Sequence, residues 1–475
     1  MKVNRWFLFI AMMTLAMTMQ AAGYSIKVKI NGLNEGDTVL LGNYYGQHQY
    51  VKDTMVADAS GTVTFKGKED LPGGIYFIVT PDKKFFEFIV NKEQVMSFES
   101  DLADLTDRMK VKGSGENEDF YDYLRFINKQ QKLYAFYKEK HTGTGEVKDS
   151  AEYYKKMMES VDDSVKRYKI RFIEMHPDYL ISKVFKASKD PDIPEEQVLP
   201  NGRKDSTFKY RYFKKHYFDE MDFGDDRLLR TPVFYNRLSF YMDKIVVQIP
   251  DSIIKEADIL IEKGRGNKEV FKYLVWYFTY TYETSKIMGF DAIFVHMVKT
   301  YYMTNQCFWV SEKILDNLTK RANKLEPILL GKTAPNMIMQ DTLLNLQSLH
   351  AIQAKYTVIL FWDPECGHCK TEVPHVHEFY LKNRDELGLE VFAVCADTNM
   401  AKMKEFIHKN NLHTWINVNG PRALTPPYAD LYDIYSTPVI YILDEKKTII
   451  AKRIGYDQIG DFIRNDRKRK IKTGQ

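Results

Sequence analysis

Cys366-Gly367-His368-Cys369 is the stretch of this chain whose residue types and spacing could carry chemistry. The apolar run Tyr356 to Trp362 leads into it, and a helical pattern carrying Pro374 leads out. Two cysteines three apart at a helix start can meet at its first turn and close a disulfide. The unpaired N–H groups and partial positive charge there favour a thiolate over a thiol. The chemistry is thiol–disulfide exchange. Cys366, at the exposed edge, is the expected nucleophile, Gly367 lets a partner's backbone approach, and Cys369 is the expected resolving thiol. His368 is expected to favour the thiolate through its partial positive charge.

Other chemistry on the same cysteines fails on specifics. Covalent haem attachment needs a histidine directly after the second cysteine, and that position holds Lys370. A zinc set of Cys366, Cys369, His375 and His377 would need helix residues two apart to point the same way, and there is no second cysteine pair. A peroxide-reacting cysteine would be supported by a threonine three residues before it, where this chain has Asp363. No metal and no organic cofactor is therefore expected.

The elements that must position this pair belong to a long chain. Its 475 residues allow two to four domains, and 44% hydrophobic with 28% charged residues is ordinary for globular protein. A formal charge of +4 does not signal nucleic acid. The basic run Arg464 to Lys472 reads as a solvated helix end. Residues 1–23 differ: Lys2 and Arg5, the apolar stretch Trp6 to Met17, and Ala21, Ala22, Gly23 have the order of a secretory signal peptide. The apolar stretch is short for a transmembrane span, so an exported, soluble protein, periplasmic or otherwise, is expected, with no membrane segment after signal removal. Four cysteines in such a chain are too few for a disulfide scaffold. Cys307 and Cys395 lie in apolar surroundings and read as small buried hydrophobes, with a bridge between them left open.

From Tyr24 to about Ser100 the pattern alternates with period two, with strands at Ser25–Ile30, Val39–Leu41, Thr62–Phe65, Ile75–Thr80 and Phe85–Val90 and glycine turns between them. This predicts an antiparallel β-sandwich over 24–112, without a catalytic constellation. Gly113-Ser114-Gly115 is the expected joint to an all-α domain of many short helices over 116–325. Polar breaks fall there at 142–145 and 191–202. Its apolar stripes, such as Phe271, Leu274, Val275 and Phe278, are expected to be core. The isolated His176, His216 and His296 are given no role. A last unit, 327–475, opens with a hairpin-like segment. It then alternates strands at 356–362, 389–396, 414–418, 438–443 and 447–454 with helices at 367–384, 399–410, 427–433 and 457–467, an α/β pattern.

Residues 327–475 resemble a thioredoxin-fold domain, most closely the exported thiol–disulfide oxidoreductases of the TlpA/ResA type. The resemblance rests on Phe361-Trp362, the Cys-x-x-Cys, Pro374 five residues after the second cysteine, Thr437-Pro438 before the strand Val439 to Leu443, and Gly455 before the last helix. The earlier regions resemble two uncharacterised modules found fused to such domains. The resemblance implies protein thiols and disulfides as substrates and a redox partner protein that recycles the dithiol. It also implies a cis Thr437-Pro438 bond, which costs little only before proline. That proline offers no N–H near the sulfurs, while Thr437 offers backbone groups to an extended substrate. Proline at 374 should kink the helix so that it follows the sheet. The Gly-His dipeptide matches that of protein disulfide isomerases, near about −180 mV against about −270 mV for thioredoxin, and implies a less reducing site.

Two departures from thioredoxin bear on proton transfer. Leu360 stands where thioredoxins bury an aspartate, two residues before Trp362, and Ala393 stands at the matching lysine position. Losing both together avoids an unpaired buried charge. It leaves Glu365 and Glu372 as the available acids. The sequence thus reads as a three-part exported oxidoreductase. The competing expectation is a binding or docking protein whose front modules do the main work, with the redox domain serving them.

Overall fold

The computed structural model describes residues 23–143, 148–195 and 202–473. The expected leader, apart from Gly23, lies outside the described residues, as do 144–145 and 196–201 of the two polar breaks. Two compact units emerge. One holds the chain up to Val246 together with Lys263–Phe271, and the other holds Val247–Glu262 and the chain from Lys272 onward. The helical stretch is thus shared between them. Among the described residues no helix is long and apolar enough to cross a membrane.

In the first unit, alternation builds a two-sheet sandwich. One sheet contains β1 (Ser25–Asn31), β4 (Thr62–Lys66), β7 (Val95–Asp101) and β8 (Lys110–Lys112) in the order β4-β1-β7-β8. The other contains β2 (Thr38–Tyr45), β3 (His48–Val56), β5 (Gly74–Val79) and β6 (Phe85–Val90) in the order β3-β2-β5-β6. Ile26, Val28 and Ile30 are fully buried along β1, and Phe88 of β6 meets Phe98 of β7 with ring centroids 5.0 Å apart. The pairing is antiparallel except between β1 and β7, which run parallel. The expected joint at 113–115 is a packed corner. Gly113 takes a left-handed φ of 85°, and Ser114, Glu116 and Asn117 are all buried beyond it. Two long helices follow, Gly115–Gly143 of 29 residues and Lys148–Met175 of 28, in place of the short helices expected there.

In the second unit a seven-stranded sheet is built from β9 (Ile338–Asp341), β10 (Leu346–Ser348), β11 (Tyr356–Trp362), β12 (Leu389–Cys395), β13 (Ile416–Ala423), β14 (Val439–Asp444) and β15 (Ile449–Lys452). Its order is β10-β9-β13-β12-β11-β14-β15. β11, β12 and β13 are parallel, and β14 and β15 close one side antiparallel. All seven residues of β11 are buried, which is why its sequence reads as an unbroken apolar run. Each fully buried large side chain there contributes about 1.5–3 kcal/mol of transfer free energy. The helix Gly367–Leu387 leaves the C-terminal end of β11 and carries Pro374 in its interior. It stops at Gly388, whose left-handed φ of 62° caps it. The apolar stripe Ile293, Phe294, Met297, Val298 and Tyr301 is buried, as its spacing demands.

Candidate active site

The end of β11 and the start of the helix Gly367–Leu387 place the two cysteines differently. Cys366 is the residue just before the helix, extended at φ −70° and ψ 124°, and its carbonyl accepts the first intrahelical bond, from Lys370 N–H, at 3.1 Å. Its sulfur is half-buried at the orphan N–H groups of the first turn, whereas Cys369, one turn in, is fully buried. Partial burial pushes the Cys366 thiol up. Hydrogen bonds to its sulfur from the Cys369 backbone N–H, the Cys369 thiol, the Thr437 hydroxyl and the His368 backbone N–H outweigh that and hold it below its ordinary value. Burial dominates at Cys369 and pushes its thiol up to about 12, although the Thr437 hydroxyl and the Asp363 N–H favour its thiolate. One sulfur of the pair is shifted toward the thiolate, and the other is held as a thiol.

Thr437 is the second wall. The Thr437-Pro438 bond is cis. The Cys366 thiol donates to the Thr437 carbonyl at 3.2 Å, and the Thr437 hydroxyl addresses both sulfurs. Asp363 N–H reaches Cys369 Sγ at 3.5 Å. Neither the Thr437 hydroxyl nor the Asp363 amide is singled out by sequence. An amide carries no residue-type signal, and the threonine stood out only for its backbone.

The remaining expected residues divide into surface and core. A side chain at Gly367 would meet open space, so the approach to Cys366 is clear on that side. The His368 ring is exposed, and the group of His368 that meets Cys366 is its amide. Glu365 is exposed and pairs with Lys402 at 3.2 Å, while Glu372 is half-buried on the helix. Trp362 lies in the core, its ring against Phe406 at 4.7 Å and its indole N–H without an acceptor among the described residues. The histidines of the discarded zinc set are dispersed: His375 stacks on Tyr456, and His377 is buried beside Trp415. Leu360 and Ala393 are fully buried and directly opposite one another in the β11–β12 register. The two positions without charge therefore face each other. Cys307 and Cys395 are free and buried, each thiol pushed up to about 12 by burial. Cys395, opposite Trp362 in the register, shares the hydrophobic core with Cys369.

Comparison with known proteins divides the chain into three segments. Residues 330–452 match the AhpC/TSA family, residues 181–324 a domain of unknown function (DUF5106) and residues 24–120 another (DUF4369). The thiol-disulfide oxidoreductase ResA of Bacillus cereus is 25% identical over 130 residues, 27% of this chain and 72% of the relative. ResA of Bacillus subtilis is 28% identical over 127 residues, 26% of this chain and 67% of the relative. Among solved structures, a domain of a possible thiol-disulfide isomerase from Cytophaga hutchinsonii is 43% identical, covering 30% of this chain and 97% of that one with a TM-score of 0.29. A thioredoxin-like protein from Bacteroides caccae is 18% identical over 58% of this chain and 97% of that one, with a TM-score of 0.44.

Proposed function

Because the C-terminal third of this chain is a thioredoxin-like thiol–disulfide oxidoreductase domain, we propose that the protein is exported and exchanges disulfides with protein substrates through Cys366 and Cys369. The observation that carries this reading is the inequality of the pair: a half-buried sulfur with a lowered thiol pKa beside a buried one held protonated. The Cys366 thiolate attacks one sulfur of a partner disulfide, forming a mixed disulfide and releasing the partner's other sulfur as a thiolate. Cys369 then gives up its proton and attacks Cys366 Sγ. The second partner thiol leaves, and an intramolecular disulfide remains. The substrate has gained two electrons, and a redox partner protein supplies two more to the Cys366–Cys369 disulfide and so restores the dithiol.

Thr437 and Pro438 form the substrate ledge in this reading, with Thr437 pairing an extended chain by strand addition. Glu372, three residues past Cys369 on the helix, and Glu365 are the proposed acid–base groups for its proton, and Gly367, His368 and Trp362 tune the site. The division into 24–112, 116–325 and 327–475, with residues 1–23 as a leader, belongs to the same proposal. Its periplasmic address is tested by N-terminal sequencing of the mature protein from a cell-envelope fraction.

The decisive test is a Cys369→Ala trap in the full chain. It is expected to accumulate mixed disulfides with protein partners that reductant releases, and Cys366→Ala is expected to trap none. Absence of any covalent partner in the trap defeats the reading.

A further inference from the structure

The Thr437 groups that meet Cys366 lie at the end of a short irregular segment that follows the helix Tyr428–Leu431. Asp433 starts that segment with a left-handed φ of 55°, a conformation that costs a non-glycine residue on the order of 1 kcal/mol, and its carboxylate is fully buried. A buried charge in irregular backbone persists only when it is fully paired. Here Arg453 takes one carboxylate oxygen at 2.7 Å and the Asp433 carbonyl at 2.5 Å, and Arg321 takes the other oxygen. Arg453 follows β15 of the same sheet, but Arg321 does not belong to the thioredoxin-like segment. It lies on the helix Glu312–Leu325, near the end of the region matching the second domain of unknown function. One turn later Lys324 reaches Asp430 at 3.3 Å and the Tyr435 hydroxyl at 3.1 Å, with its ammonium over the Tyr435 ring. One helix therefore grips the segment at Asp433 and Tyr435 and the short helix before it at Asp430, and Tyr435 stands two residues before Thr437.

We propose that Arg321 and Lys324 are positioning residues for the reacting sulfur, fixing through Asp433, Asp430 and Tyr435 where the Thr437 carbonyl and hydroxyl meet Cys366. The accessory helical module would then set the reactivity of the dithiol, which gives it a chemical task. A purely architectural anchor would also use ion pairs, but its loss would lower stability without changing Cys366. The inference rests on the redox reading only in taking Cys366 as the nucleophile.

Alkylation of reduced full-length protein by iodoacetamide, followed across pH, reads Cys366 selectively, because the other three cysteines are buried with thiols near 12. Arg321→Ala is expected to raise the Cys366 pKa by about half a unit, an alkylation rate about threefold lower at neutral pH. Arg321→Lys should fall between that variant and the native chain. In a Thr437→Val background, which removes the hydroxyl and keeps the carbonyl, Arg321→Ala should have a smaller effect than in the native chain. A folded Arg321→Ala protein with the native profile overturns the proposal, as does an equal drop in the Thr437→Val background. Should Arg321→Ala fail to fold by near-UV circular dichroism, Arg321→Lys carries the same test, and a native profile there overturns it. A native chain that reduces no disulfide, yet shows the Arg321 effect on alkylation, defeats the function proposed above and leaves the positioning role standing.

Discussion

Both compact units bury polar side chains, and Asn117 in the first and Asp433 in the second put that burial to different uses. In the first unit Asn117 is fully buried at the start of the helix Gly115–Gly143. It accepts from Ile89 N–H and donates to Ile89 C=O, each at 2.7 Å, completing the outer edge of β6. Its neighbour Glu116, its pKa raised by burial, accepts from Asn91 at 2.8 Å and from Ile181 N–H at 3.0 Å. Three of these four bonds end on backbone that regular structure would otherwise leave unpaired, and the fourth meets the Asn91 side-chain amide. In the second unit the buried Asp433 is held by side chains, and what it fixes is irregular backbone leading to the group that touches Cys366. A buried polar group that completes a sheet edge supports the fold. One that fastens a loop beside a nucleophile adjusts its reactivity.

The comparison can be broken most strongly at Asn117. Asn117→Ala leaves the buried N–H and C=O of Ile89 without partners, an expected loss of about 2–4 kcal/mol in urea unfolding with the Cys366 alkylation profile unmoved. A changed profile would erase the distinction between the two residues. Thr437→Val should do the reverse. It removes a hydroxyl that favours both thiolates, so the Cys366 pKa rises by about 0.5–1 unit, and alkylation, which increases as pH climbs through that pKa, begins at higher pH. Stability should change by less than about 1 kcal/mol. The smallest effect is expected from Glu365→Gln. Its pairing with Lys402 is solvent-exposed and screened, so the Cys366 profile should move by less than about 0.3 unit. A larger shift would mean that Glu365 acts on Cys366 itself and not only on the proton of Cys369.

What could be read from sequence was what is local. The Cys-x-x-Cys, Pro374 and Thr437-Pro438 sit on or beside elements that their own neighbours specify, and the strand and helix order after residue 355 follows from apolar runs of the right length. β3, His48–Val56, has no such signature because most of it is exposed, and its sequence HQYVKDTMV shows no buried face. The parallel pairing of β1 with β7 joins the two ends of the sandwich sequence, and alternation describes each strand without naming its neighbour. The long helix Gly115–Gly143 buries little beyond its first two turns, so its apolar positions do not line up as a stripe. The grip on Asp433 was hidden for the same reason. Its partner Arg321 is 112 residues away, and a lone arginine on a polar helix face resembles any solvated charge.

The neutral Leu360–Ala393 pair has a kinetic consequence. In the proposed cycle, with no carboxylate at either of these two positions, the proton that Cys369 must lose before the mixed disulfide resolves would pass outward to Glu372 or to solvent. The lifetime of the covalent complex is then set partly by the surroundings, lengthening in acidic or poorly buffered medium. A substrate tethered in that proposed cycle would gain time to rearrange its other cysteines before release.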